Sequence, residues 1–418
     1  MMTRRDLLSS AAFGYFVQGS GAIKVGVIGC GGRGEAAAMN AMNAGKDIRI
    51  VALGDLLRDR AEEKRTALKA KYPDQVEVKD DHLFGGYDCY CKVIASDADV
   101  VIIANAAKFH PLHLMAAVEA GKHVFVEKPH AIDPAGLRMV REATALAGKK
   151  GLSVVSGLQS RYHPGYIELM EKIHSGAIGR IVAIQETWLR APYVLYPRRP
   201  NMKEIVWQGS NQYHFNWLCG DDVPQTLIHN LDRSSWALGN AAPIRCYGMG
   251  GRSTLKGEIY GNVFDHHSVV YQFPDGVRVY AFCRTIDNCY DENSSLILGT
   301  KGQCDLLNPR ITGENPYESQ LGRSKNPAYD LEHVALFNAI RQSKPINNGD
   351  YMARSTQITV MGQLSCYTGQ EVKWDQVTNS NFYFPPKAEE VNENTEAPVH
   401  PLPDGTYPVY IPGVTKLL

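Results

Sequence analysis

The chain has 418 residues, 44% hydrophobic and 21% charged, and its 44 Lys and Arg balance 44 Asp and Glu to a formal net charge of zero. That balance excludes the basic footprint of a nucleic-acid-binding protein and the sparse hydrophobicity and high net charge of a disordered chain. Nine cysteines imply no disulfide framework. No apolar run approaches the roughly 20 residues that span a bilayer, so no stable membrane insertion is expected.

Residues 1–20 read as an address rather than as fold. Arg4 and Arg5 precede Leu7, Leu8 and a short, weakly apolar stretch, the pattern of a twin-arginine export signal. The expectation is a periplasmic or exported protein. A cytoplasmic protein with a basic N-terminus is the alternative.

Residues 21–150 carry the strongest pattern. Lys24 to Gly29 is a short β-branched run, expected to be a buried strand. It leads into Gly29-Cys30-Gly31-Gly32-Arg33-Gly34, a G-x-G-x-x-G, and then into an Ala-rich helical segment, Glu35 to Ala44. A second apolar strand, Ile48 to Leu53, ends at Asp55, 21 residues after Gly34. Strand, glycine motif, helix, strand and acid in this order form a dinucleotide-binding fingerprint. Gly29 permits the tight turn, Gly31 lets the backbone approach a pyrophosphate, and Gly34 lets helix and strand pack closely. The helix N-terminus offers free N–H groups and a positive dipole end to the phosphates. A carboxylate at Asp55 accepts hydrogen bonds from ribose hydroxyls and repels a 2′-phosphate, so NAD is the expected cofactor. Arg58 and Arg60 lie near enough to soften that preference.

Strands at Ala98–Ala104, His123–Val126 and Ser153–Ser156 alternate with helices at Pro111–Ala120 and Asp133–Leu146. That alternation predicts an α/β fold with a parallel Rossmann sheet. Ligands then bind beyond the carboxyl ends of the strands. Asn105, His110, Glu127, Lys128, Gln159 and Arg161 all fall there. His110 is expected to line the cofactor site, with His113 structural. Neither the His110/His113 pair nor Cys89-x-Cys91 has the further ligands a metal site needs, so no metal is expected.

Here the chain resembles the Gfo/Idh/MocA family, which includes glucose–fructose oxidoreductase and inositol dehydrogenase. The resemblance covers about residues 23–375. It rests on GCGGRG at 29–34, AGKHVFVEKP at 120–129, GLQSRYHP at 157–164, SGAIGRIV at 175–182 and IHNLD at 228–232. It implies an N-terminal Rossmann domain and a C-terminal α+β domain whose open, mainly antiparallel sheet forms the substrate site. It also implies a homo-oligomer joined through that sheet. The implied cofactor-binding set is Gly29 to Gly34, Asp55, Asn105, His110, Glu127 and Lys128. The implied substrate is a carbohydrate or related small molecule. By the same resemblance Lys128 lies between nicotinamide and substrate and moves a hydroxyl proton, and His229 pairs with it. Many members carry an Asp four residues before that histidine. This chain has Gln225 there, so Asp232 is the candidate replacement.

Residues 151–378 are expected to form the substrate domain. Ile181–Leu189 is strand-like, and Ser268–Phe273 and Val277–Cys283 flank the turn signal Pro274-Asp275-Gly276. Asp330–Arg341 and Tyr351–Tyr367 read as helices. Residues 190–219 are rich in Arg, Asn, Tyr and Trp. Trp207, Tyr213, His214 and Trp217 either meet a sugar or pack into the domain's own core. The expected substrate-binding residues are Gln159, Arg161, Tyr213, His214 and Asp232. Residues 379–418, rich in Pro, read as an extended arm over this subunit or a neighbour.

Export favours a closed redox cycle, because no soluble NAD pool exists outside the cytoplasm. The leading expectation is glycoside cleavage with retained NAD: transient oxidation of a sugar hydroxyl, elimination, water addition and re-reduction. That route needs no carboxylate pair. The alternative is a net sugar or cyclitol dehydrogenase, and the third reading is a non-catalytic sugar sensor.

Overall fold

A computed structural model describes residues 21–255, 260–321 and 327–418. The twin-arginine segment lies outside the described residues. The first sheet has six strands: β1 (Ile23–Ile28), β2 (Ile48–Asp55), β3 (Leu83–Gly85), β4 (Val100–Ile103), β5 (His123–Val126) and β6 (Val154–Ser156), in the order β3-β2-β1-β4-β5-β6. Every pairing is parallel. The strands are buried on both faces, as their continuous apolar runs require, and the order reverses at β1, where the glycine motif begins.

The second sheet has nine strands: β7 (Ile181–Arg190), β8 (Arg245–Gly251), β9 (His266–Gln272), β10 (Arg278–Thr285), β11 (Glu292–Gly299), β12 (Gly302–Asp305), β13 (Arg310–Gly313), β14 (Tyr317–Glu318) and β15 (Val372–Lys373). Only β7 and β10 run parallel; the other pairings are antiparallel. The hairpin expected at Pro274-Asp275-Gly276 joins β9 to β10. The architecture is the expected one: an α/β Rossmann layer followed by an α+β layer with an open, mainly antiparallel sheet.

Two elements cross the boundary expected at residue 150. Strand β6 completes the first sheet. The helix Pro327–Arg341, distant in sequence, returns to it and buries Ala335, Leu336 and Phe337 in the Rossmann core. The long helix Gly349–Thr368 is buried along nearly its whole length, so its apolar and small polar residues face protein on all sides. It joins the domains: Thr356 bonds His130, Ser355 bonds Asp232, and Tyr367 bonds Asp221.

The C-terminal arm packs on its own subunit. Phe384, Val391, Ala397 and Tyr407 enter one apolar cluster with Trp207, Phe215, Trp217 and Phe264. Trp207 and Trp217 are therefore core residues and do not face a sugar. The indole N–H of Trp217 is satisfied by Gln208 Oε1 at 2.8 Å. Among the described residues no helix is long and apolar enough to cross a membrane, and no group of His, Cys, Asp or Glu is placed to hold a metal ion.

Candidate active site

The glycine loop has the geometry its spacing predicts. Gly29 has φ +92°, the left-handed region that favours glycine, and a Cβ there would collide with the backbone of Ala104 and Asn105. A Cβ on Gly34 would strike the Gly29 carbonyl, whereas Gly31 and Gly32 face open space on the ligand side. The helix Gly32–Asn43 starts there, with its N–H groups directed at the cleft. Asp55, at the end of β2, accepts Cys30 N at 2.7 Å and Leu57 N at 2.9 Å. Arg60 stands 3.5 Å from it. Arg58 turns away to the carbonyls of Leu83 and Asp80. Asn105 lines the same cleft, and its amide oxygen is buried without a hydrogen-bond partner. Open glycines, a helix N-terminus, a carboxylate and an orphaned amide oxygen fit a dinucleotide.

The second domain supplies the opposite wall of this cleft: Tyr196, Gly209, Asn211, Gln212, Tyr213 and His214. The wall is fastened from both sides. On the Rossmann side the Tyr87 hydroxyl donates to Ile205 O at 2.7 Å, and Arg60 lies over the Tyr196 ring at 5.3 Å. On the arm side Gln208 donates to Val399 O at 2.7 Å and Lys203 to Asn394 at 2.6 Å. Tyr213 and His214, expected at the substrate, thus line the cleft that also holds the glycine loop and Asp55.

Lys128 follows β5 in a cis Lys128–Pro129 unit and is recessed in the crease between the domains. Its ammonium donates to Gln225 O at 2.8 Å. Surrounding protein pushes its pKa down to about 8, against an upward pull from the Glu127 carboxylate. Gln225 belongs to a π-helical turn, Val223–Leu227, which runs directly into the helix carrying His229. Such wide turns occur often at functional sites. His229 is buried, its pKa is held well below the usual imidazole range by desolvation and by Lys128, and its Nδ1 has no partner. Its ring lies 5.8 Å from that of Trp188. Lysine and imidazole are therefore neighbours, one from each domain.

Several expected site residues hold the scaffold. His110 does not line the cleft: it is buried with Nδ1 2.8 Å from Pro129 O and Nε2 3.0 Å from Asn105 O, tying the loop after β4 to the lysine segment. Burial lowers it to about 4. Arg161 and Asp232 do not face a substrate. Arg161 Nη2 pairs with Asp232 Oδ1 at 2.8 Å, with its guanidinium between the rings of Trp236 and Tyr351. Ser355 takes the same carboxylate at 2.7 Å. Asp232 is consequently occupied and does not replace the missing acid as a partner of His229. Glu127 is buried below the cleft, with Arg33 Nε 2.8 Å from its Oε1. Arg33 also lines the cleft and stacks over Tyr329. Gln159 bonds the Tyr329 hydroxyl at 3.1 Å. Cys30 contributes its backbone, while its thiol is buried against Gly54 O.

Sequence reasoning missed Tyr193 and Arg190. Arg190 ends β7, pairs with Asp222 at 2.8 Å and lies 3.7 Å from the centre of the Tyr193 ring, which stacks on Tyr213 at 4.1 Å. Both charges act on Lys128. The one available signal was that Arg190 closes a strand, since functional residues gather at strand ends.

Known proteins are similar to this chain in sequence and in fold. The profile of the Gfo/Idh/MocA oxidoreductases, with an NAD-binding Rossmann fold, matches residues 23–157. An inositol 2-dehydrogenase of Salmonella typhimurium is 30% identical over 335 residues, spanning 77% of this chain and 87% of that protein. Another, from Paracoccus denitrificans, is 28% identical over 220 residues, 52% of this chain and 54% of that one. Among solved structures, GenD2 from gentamicin A biosynthesis in complex with NAD covers 86% of this chain and 99% of its own, with a TM-score of 0.66 at 16% identity. An aldose–aldose oxidoreductase from Caulobacter crescentus complexed with glycerol covers 84% and 99%, with a TM-score of 0.65 at 19% identity. The similarity runs through both domains and not the cofactor half alone, and the chain is a member of the Gfo/Idh/MocA family of NAD-binding oxidoreductases.

Proposed function

We propose that this NAD-dependent oxidoreductase oxidises a secondary hydroxyl of a neutral sugar or cyclitol. The observation that carries the reading is the amine–imidazole pair at the domain crease, with Lys128 lowered to about 8 and His229 offering an unpartnered Nδ1. The inositol dehydrogenase relatives support net dehydrogenation over glycoside cleavage, for which no observation speaks.

The residues divide the work. Gly29, Gly31, Gly32 and the helix start at Gly32 hold the pyrophosphate, Asp55 the ribose, and Asn105 the nicotinamide end. NAD⁺, when bound there, would supply the acceptor for the carbinol carbon's hydrogen and its electron pair. The hydroxyl proton goes to Nζ of neutral Lys128, which becomes the ammonium. A base whose pKa lies near working pH suits that transfer. His229, kept neutral by burial and by Lys128, hydrogen-bonds the same hydroxyl and fixes its direction. Gln225 O keeps the lysine extended across the crease.

The test is to assay the protein as purified, with and without added NAD, against free polyols and chromogenic aryl glycosides. NADH formation from a polyol, abolished by Lys128→Met, is the expected result. Aryl release without net NADH would replace this reading by glycoside cleavage.

A further inference from the structure

Two carboxylates act on Lys128, yet neither pairs with it. Glu127 precedes it in the chain, and its Oε2 accepts the Lys128 backbone N–H at 3.2 Å. Asp222 belongs to the other side of the crease, three residues before Gln225. Among the described residues the ammonium forms no ion pair; its hydrogen bond goes to the neutral carbonyl of Gln225 at 2.8 Å. Each carboxylate is already taken by an arginine. Arg33 Nε lies 2.8 Å from Glu127 Oε1, and Arg190 Nη2 lies 2.8 Å from Asp222 Oδ1. The lysine therefore feels two closed ion pairs, one from each domain.

Both pairs are anchored by further contacts. Glu127 is buried, and a Cβ at Gly157 would strike its carboxyl group. Arg33 donates to Asn40 Oδ1 at 2.9 Å and lies over the Tyr329 ring at 4.8 Å. Arg190 Nη1 donates to Ala191 O at 2.8 Å, and the guanidinium lies 3.7 Å from the centre of the Tyr193 ring. Asp222 Oδ1, which meets Arg190, also accepts the Thr226 hydroxyl. Arginine suits this duty because it stays charged at any working pH, whereas a second lysine would compete for the proton. Three imidazoles also interact with the ammonium, those of His110, His130 and His229, and burial keeps each neutral. Beyond burial, the charges acting on the lysine are those of the two pairs: the carboxylates favour the ammonium and the arginines oppose it.

Resting on the reading of Lys128 as proton acceptor, we propose that Arg33 and Arg190 are positioning residues: each occupies a carboxylate that would otherwise serve Lys128 as counter-ion, and so keeps the amine available as a base. Removing either arginine leaves a buried carboxylate unmatched near the lysine. The ammonium is then stabilised, and the neutral amine becomes scarce at working pH. Removing the carboxylate instead leaves the arginine unmatched and moves the lysine the other way. Removing both partners of one pair restores the balance. Loss of structure alone would lower stability without producing this pattern of opposite signs and rescue.

The experiment follows two pH midpoints: that of kcat/KM for polyol oxidation at saturating NAD, and that of trace acetylation of Lys128 by acetic anhydride, read by peptide mass spectrometry. The proteins are wild type, Arg33→Gln, Glu127→Gln, their double variant, and the matching set Arg190→Gln, Asp222→Asn and double variant. Either arginine variant is expected to raise both midpoints by about 1–3 pH units, so that its kcat/KM at pH 7 falls at least tenfold and recovers at higher pH. Either carboxylate variant lowers them, and each double variant returns to within half a pH unit of wild type. NAD affinity and the thermal midpoint are recorded alongside; where an arginine variant does not fold, the carboxylate variant of its pair decides. A folded arginine variant whose midpoints stay within half a pH unit of wild type overturns the proposal, as does a carboxylate variant that fails to lower them or a double variant that keeps the raised values. Acetylation needs no turnover. Should its midpoint shift as expected while no polyol is oxidised, the oxidation reading falls and this inference stands; should polyols be oxidised with both midpoints unmoved, this inference fails alone.

Discussion

Lys128 Nζ lies 2.8 Å from the carbonyl oxygen of Gln225. The lysine comes from the end of β5 and the carbonyl from the turn that introduces His229, so one hydrogen bond joins the Rossmann domain to the substrate domain at the proposed reacting position. It also explains how Gln225 serves where relatives are expected to carry an acid. The residue contributes its backbone to the lysine, and its side chain meets the Tyr193 hydroxyl. Lys128→Met removes the proton acceptor and keeps the apolar stem. Turnover is expected to fall by about 10²–10⁴-fold, with NAD affinity within threefold of wild type, as measured by steady-state NADH formation and by calorimetry.

The depressed lysine fixes a pH dependence. The base form is the neutral amine, so kcat/KM for oxidation rises as pH increases through about 8 and levels above it. An unperturbed lysine near 10.5 would still be rising two pH units later. His229 stays neutral throughout, being held well below its usual range, and adds no second rise between pH 6 and 8. A rate profile in constant-ionic-strength buffers measures both features.

Asp55 has two duties. Its carboxylate orders the glycine loop through Cys30 N and opposes a 2′-phosphate. Asp55→Asn keeps the shape and removes the charge, while Arg60 stays 3.5 Å away. The preference for NAD over NADP is expected to drop at least tenfold, about 1.4 kcal/mol, read from the ratio of the two cofactors' dissociation constants.

The Arg161–Asp232 pair separates structural from substrate roles. Asp232 is fully buried, and among the described residues it is the acid that pairs with Arg161. Breaking a buried pair by removing one partner costs about 3–5 kcal/mol. Asp232→Asn should therefore lower the urea midpoint strongly, while the folded fraction retains the wild-type KM for its polyol. A selective rise in KM without loss of stability would return Asp232 to the substrate site.

The arm holds the outer wall of the cleft. Tyr407 is 2% exposed and stands against Trp207 and Phe215. Tyr407→Ala should destabilise by about 3 kcal/mol and accelerate NAD release in a stopped-flow chase.

The first domain was legible because each of its signals is local. Apolar runs marked β1, β2, β4 and β5, and Gly29 to Gly34 followed by Asp55 marked the cofactor. Lys128 and His229 came from the family resemblance, and the fold then showed them to be neighbours. The rest depended on contacts between distant positions. Arg161 meets Asp232 across 71 residues, a pairing no spacing encodes, so both read as ligand-facing. Residues 190–219 have the composition of a sugar site and of a small core alike. What decided Trp207 was Tyr407, 200 positions later. His110 fell at a strand end, where ligand residues gather, yet both of its nitrogens face backbone carbonyls.

The central claim is that Lys128 takes the hydroxyl proton as the carbinol hydrogen leaves a polyol. The most direct measurement is a single-turnover reaction of NAD-loaded protein with a polyol deuterated at the oxidised carbon, compared between wild type and Lys128→Met. The account predicts NADH formation with a primary deuterium isotope effect in the wild type, and a rate at least a hundredfold lower in the variant at unchanged NAD occupancy. NADH appearing at the same rate in both proteins would contradict it.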